Sequence, residues 1–275
     1  AAHGYVVVVL DHSDGSAPVV SRKDGSLLRR NETVTQQWIE GRKEEYKSSR
    51  QALTAYRAQE LLAVVESTLK LNQENIPELE NVGLDFRGKL DTNDIHYMGH
   101  SFGGATVLHA AAQIPPRSVL AHDSANDWIP PETKLKLFDS ERVKDSKANH
   151  SYWTSISGIN SETSSTAVGD SQVALSLHES TQMLFLFSDE WWSKGWSGSD
   201  VLKDMHDRKV LGPKGGISRF RVIDQAFHQE FSDACMITPL WIARAVGLTG
   251  PRNPLDTARD IHLETLDFLT ALRRL

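Results

Sequence analysis

The chain has 275 residues, 39% of them hydrophobic, enough to bury a sizeable core in one large α/β domain. A net charge of −6 offers no basic surface to nucleic acid and no electrostatic pull toward anionic membranes. The single cysteine, Cys235, excludes an internal disulfide framework and a cysteine-based zinc site, and no apolar run approaches the ~20 residues that span a bilayer.

Taken in chain order, Tyr5 to Leu10 is β-branched and apolar throughout, the pattern of a parallel strand covered on both faces. A strand so close to the first residue, without an initiating Met or a signal peptide, leads us to expect an N-terminally truncated chain whose earlier strands lie upstream. The polar loop Asp11 to Ser16 follows, where open α/β sheets place their sites. Residues 17–50 read as charged and irregular. Ala58, Leu61, Leu62, Val65 and Leu69 recur at helical spacing and predict a long helix from about Lys43 to Leu71.

Ile95, Tyr97 and Met98 predict a buried strand, and Gly104 to Ala112 a helix small enough in its side chains to pack closely on a sheet. Between them lies Gly99-His100-Ser101-Phe102-Gly103, which fits the G-x-S-x-G nucleophile elbow of serine hydrolases. The turn from strand to helix strains the serine backbone, so Cβ atoms two residues to either side are expected to collide. Further strands are predicted at Ser118 to His122, Met183 to Phe187 and Phe220 to Ile223, and a terminal amphipathic helix from about Ala258 to Leu272. Residues 157–181, rich in Ser, Thr and Gly, read as an exposed insertion, and Ile237 to Val246 as a core helix. The alternation implies an α/β-hydrolase fold, a mostly parallel, doubly wound sheet in one catalytic domain over residues 1–275, with its N-terminal strands missing.

A serine hydroxyl needs an adjacent base, itself oriented by an acid, and in this fold the three follow in the order Ser, Asp or Glu, His. Of the eleven histidines, only His206, His228 and His262 lie beyond Phe187, and His228 alone sits in a loop at a strand's carboxyl end. The acid stays open among Asp123, Asp127, Asp189 and Glu190, with strand spacing slightly favouring Asp189. Trp191, Trp192 and Trp196 read as loop anchors packed on the sheet, or as lining for an acyl pocket or a lipid interface. The histidines show no metal-binding spacing.

These residues carry a resemblance. Gly99 to Val107 resembles the elbow of the platelet-activating factor acetylhydrolase family, the plasma and type II calcium-independent phospholipases A2. Ala2 to His12 with Gly15 to Ala17, Arg57-Ala-Gln-Glu60, Gly83 to Phe86, Met183 to Glu190 and Phe227 to Asp233 are similar to family segments in the same order. The resemblance implies Ser101 as nucleophile and His228 as base. Its acid segment maps onto Ala121 to Trp128 with three extra residues between Asp123 and Asp127-Trp128, and Asp123, which immediately ends the strand, is preferred as acid with Asp127 second. The resemblance also implies the Phe102 backbone N–H as one oxyanion donor, the other coming from a Gly-rich loop expected upstream of Ala1. Asp11 and His12 would form part of the site's wall.

The expected substrate is a phospholipid with a short or oxidised sn-2 acyl chain, met at a lipid interface, and the chemistry requires no cofactor or metal. A general carboxylesterase or lipase of the same fold, or a non-catalytic hydrolase-fold binding protein, are the alternatives. The stretch from about 134 to 181 is longer than the family's. Neither the compartment, cytoplasmic or secreted, nor the oligomeric state follows from the residues.

Overall fold

A computed structural model describes residues 3–22, 24–137, 181–208 and 216–275. They belong to two units, Ala1–Ile95 and His96–Leu275. The expected insertion at 157–181 lies outside the described residues except for Thr181, which is buried.

The first unit departs from expectation at its start. Tyr5 to Leu10 forms no strand, and Val6 to Val9 are all more than half exposed. Strand preference measures how well a side chain packs on a pleated, half-buried surface, and this run has no ladder to supply one. Residues 17–50 are more regular than their charge suggests. Val19–Ser21 (β1) pairs antiparallel with Leu27–Arg29 (β2), and Glu32–Ile39 (α1) starts on an Asn31 cap that accepts the Thr33 N–H. The long helix appears as Lys43–Gln73 (α2), burying Thr54, Ala58 and Leu61.

Side chains of α2 also organise the preceding loop. Arg57 Nε donates to Asp14 at 2.6 Å, and its Nη2 also bonds Ser16. Glu60 accepts from His12 Nδ1 at 2.7 Å and from the Ser13 N–H at 2.9 Å. Burial alone would raise the Asp14 pKa, but the Arg57 and Ser16 hydrogen bonds outweigh it and hold the carboxyl below its ordinary range. Two segments that the resemblance marks separately, the 12–16 loop and Arg57 to Glu60, are thus one bonded structure. Pro77–Glu80 (α3) closes the unit's helices.

The second unit is built on a parallel sheet of His96–His100 (β3), Ser118–His122 (β4), Gln182–Ser188 (β5) and Ser218–Ile223 (β6), ordered as in the sequence. Phe102–Ala111 (α4) connects β3 to β4 and packs on both. Among the described residues the remaining α-helices are Pro131–Leu137 (α5), Asp189–Ser193 (α6), Ser199–Asp207 (α7), Ala234–Ile237 (α8), Leu240–Ala245 (α9) and Pro254–Leu272 (α10).

β4 and β5 read as apolar runs because both their faces are covered. Leu120, Leu184 and Leu186 pack with Phe268 and Leu272 of α10, while the alternate residues Met183, Phe185 and Phe187 are equally buried. Two expectations fail in this unit. Met98, assigned to a buried strand, is 58% exposed. The apolar run around Trp241 is not core: Trp241 and Ile237 are largely exposed, because the six-residue α9 buries only Ala243. A parallel sheet flanked by helices, with a strand–serine–helix turn at its carboxyl edge, is the α/β-hydrolase architecture.

Candidate active site

Ser101 stands between β3 and α4 with φ 56° and ψ −116°, a backbone conformation that L-residues rarely adopt. Its neighbours hold it there. The Ser101 N–H donates to the His122 carbonyl at 2.9 Å, and its own carbonyl accepts the Ala125 N–H at 2.9 Å. A Cβ on Gly99 would lie 2.2 Å from the Gly103 carbonyl oxygen, so that glycine is obligatory. The symmetric expectation fails at Gly103, where a Cβ meets nothing within 4 Å. The second constrained glycine is Gly104, whose Cβ would lie 2.7 Å from that of Ser124.

Asp123 follows β4 and is fully buried at φ 39°. Its N–H donates to the Leu186 carbonyl at 2.7 Å, and its Oδ1 accepts the Ser188 N–H at 2.7 Å. Both bonds reach β5 and aim the other carboxylate oxygen. His228 opens a short 3-10 turn, His228–Phe231, five residues after β6. Glu230, 1% exposed, fixes that turn by accepting from the Phe227 N–H at 2.7 Å, the Thr249 hydroxyl at 2.6 Å and the Gly250 N–H at 3.3 Å.

These elements bring the three side chains into one hydrogen-bonded chain. His228 Nε2 lies 3.0 Å from Ser101 Oγ, and His228 Nδ1 lies 3.1 Å from Asp123 Oδ2. Asp127 sits in the Asn126–Trp128 turn, four residues past the carboxylate that meets the imidazole. Asp189 begins α6, and Glu190 accepts the backbone N–H of His228 instead of its ring. His206 lies on α7 beside Asp207, and His262 is exposed on α10. Phe102, whose N–H belongs to the first turn of α4, packs its ring edge-on against Trp128.

The ring environment of His228 was not legible in the sequence. Trp191 stacks on the imidazole with ring centroids 4.1 Å apart and planes 8° from parallel. The His100 ring lies 4.5 Å away, centroid to centroid. Burial pulls the His100 pKa down to about 3 and the His122 pKa to about 4, so both stay neutral. The other tryptophans behave differently. Trp192 meets Phe220 edge to face at 5.7 Å, while Trp196 is 47% exposed with the Lys194 ammonium 4.3 Å above its ring. His12, expected on the site's wall, is bound to Glu60 of α2.

Among the described residues no helix is long and apolar enough to cross a membrane, and no group of three His, Cys, Asp or Glu is placed to hold a metal.

Known proteins match part of the chain. The family model for platelet-activating factor acetylhydrolase, isoform II, matches residues 1–128, a span that includes Ser101 and Asp123 but not His228. The chicken (Gallus gallus) platelet-activating factor acetylhydrolase is 32% identical over 126 residues, covering 41% of this chain and 30% of that protein. The dog (Canis lupus familiaris) protein of the same name is 27% identical over 121 residues, covering 41% of this chain and 27% of its own. The matched part is thus under a third of either relative's length, and the similar segments noted around Met183 and His228 lie beyond the family model's match. Residues 1–128 are thus similar to the platelet-activating factor acetylhydrolase family.

Proposed function

We propose that this chain carries the catalytic centre of a serine ester hydrolase acting on phospholipids with short or oxidised sn-2 acyl groups. The observation that supports this reading most is the continuous hydrogen-bonded path from Ser101 Oγ through the His228 imidazole to Asp123. Ser101 Oγ attacks the ester carbonyl while its proton passes to His228 Nε2, and the carbonyl electron pair moves onto oxygen. Asp123 holds Nδ1–H and stabilises the imidazolium. The Phe102 N–H, at the positive end of α4, receives the developing oxyanion. Collapse expels the alcohol, which takes the proton from Nε2, and water then releases the acyl group by the same steps in reverse. The substrate class follows the printed name of the relatives, and the family model's match over residues 1–128 includes the serine and the acid.

The test uses the complete protein with a fluorophosphonate probe and two substrates, an acetylated ether phosphatidylcholine and p-nitrophenyl acetate. The parent is expected to label and to cleave both. Ser101→Ala should lose the label and roughly ten-thousand-fold or more in turnover. Turnover of the nitrophenyl ester alone would make the chain a general esterase, and equal labelling of Ser101→Ala would refute a hydrolase at this serine.

A further inference from the structure

His228 is held by more than its two ring nitrogens. α6 begins at the end of β5, and two consecutive residues of this one short helix meet the histidine. Glu190 Oε2 accepts the His228 backbone N–H at 3.1 Å, and the Glu190 N–H donates to the Ala226 carbonyl at 3.1 Å. These bonds register α6 against the histidine loop on either side of Phe227. Trp191 is then carried directly onto the ring, nearly parallel at 4.1 Å between centroids. Trp191 in turn rests edge-on against Trp196 at 6.0 Å.

A stacked indole matters most when the ring beneath it becomes charged. Its π face is electron-rich and attracts a cation over the ring, more strongly where water is excluded. The groups around His228 favour the same outcome. Asp123 faces Nδ1 with a carboxylate, and Glu190 lies at the backbone N–H with its other oxygen 2.9 Å from Lys194 Nζ. His100 and His122 bring no opposing positive charge, because burial keeps both neutral. Phe231 supplies another apolar ring, stacked on His100 at 5.8 Å.

We propose that Trp191 is the positioning residue of the His228 base, setting the plane of the imidazole and stabilising the imidazolium formed as Ser101 attacks. This inference rests on the hydrolase reading of Ser101, His228 and Asp123. It assigns Trp191 to the base, not to the substrate, so its removal should slow the chemical step without weakening substrate binding.

The experiment measures steady-state hydrolysis of p-nitrophenyl acetate by the complete protein and by Ser101→Ala, Trp191→Leu and Trp191→Phe, each with a thermal melt. Leucine keeps an apolar filling but has no π face, whereas phenylalanine restores one. Trp191→Leu should lower kcat roughly tenfold with KM within about twofold of the parent, and Trp191→Phe should recover most of the loss. Parental kcat in Trp191→Leu overturns the inference, as does a raised KM with kcat unchanged, which would make Trp191 a substrate contact. Equal losses in both variants with a common drop in Tm would reduce it to packing. Parental turnover in Ser101→Ala, or a parent that neither turns over nor takes a fluorophosphonate label, would instead remove the hydrolase reading, and this inference with it.

Discussion

At the residue scale, the elbow shows how a motif and its physical cause come apart. G-x-S-x-G names Gly99 and Gly103, yet the close approaches occur at Gly99 and Gly104. Gly104 is where α4 crosses the loop after β4, a contact between segments twenty residues apart that no pentapeptide encodes. Gly103→Ala should therefore fold and turn over like the parent, with a gain of about 0.4–1 kcal/mol from the stiffer unfolded chain. Gly104→Ala should lose about 1–3 kcal/mol or more, because backbone atoms of Ser124 have to move. Urea denaturation of the two variants checks the pair, and equal stability would show that the Ser124 contact relaxes freely. Strand spacing leaves the acid open and slightly favours Asp189, and Asp123 comes from the resemblance, whereas the serine and the histidine at strand ends could be read from the chain. The indole on the imidazole could not, since Trp191, Trp192 and Trp196 lie within six residues and look alike in sequence.

At the scale of elements, legibility followed burial. β4, β5 and α10 have their apolar residues at the spacing of the surface they meet, so pattern and structure agree. Tyr5 to Leu10 and α9 are equally apolar but leave most of their large side chains exposed, and composition alone misassigned both. The histidine turn is the third kind of case. Its conformation depends on Glu230 and on donors 19 and 20 residues away at Thr249 and Gly250. Glu230→Ala would take the carboxylate from three donors, two of them buried, and should destabilise the protein by about 2–4 kcal/mol. It should also lower kcat, as His228 loses its seat. Urea unfolding and ester turnover measured on the same preparation test this, and unchanged stability would mean that water replaces the carboxylate at no cost.

At the scale of the molecule, the buried histidines set a response to acid. Folded His122 and His100 resist protonation until about pH 4 and about pH 3, against 6.5 for the free side chain. Below 6.5 the unfolded chain binds protons that the folded one refuses. The stability they confer is complete above that pH and is lost as pH falls toward 4 and then 3. Each such group contributes a slope of at most about 1.4 kcal/mol per pH unit. His122→Phe should flatten the decline between pH 6.5 and 4, seen as a smaller drop in urea midpoint from pH 7 to pH 4.5. An unchanged pH profile would show that His122 protonates without resistance.

The parallel ladder has one more consequence. Ser101 follows β3, Asp123 follows β4 and His228 follows β6, so the spacing of the three groups is the spacing of the strands themselves. Serine and histidine are 127 positions apart in the chain and touch only when β3 to β6 are laid side by side. Such long-range closure belongs to the slow part of folding. A reagent that reacts with Ser101 would thus count molecules in which β3 to β6 have paired, making this serine an internal gauge of assembly.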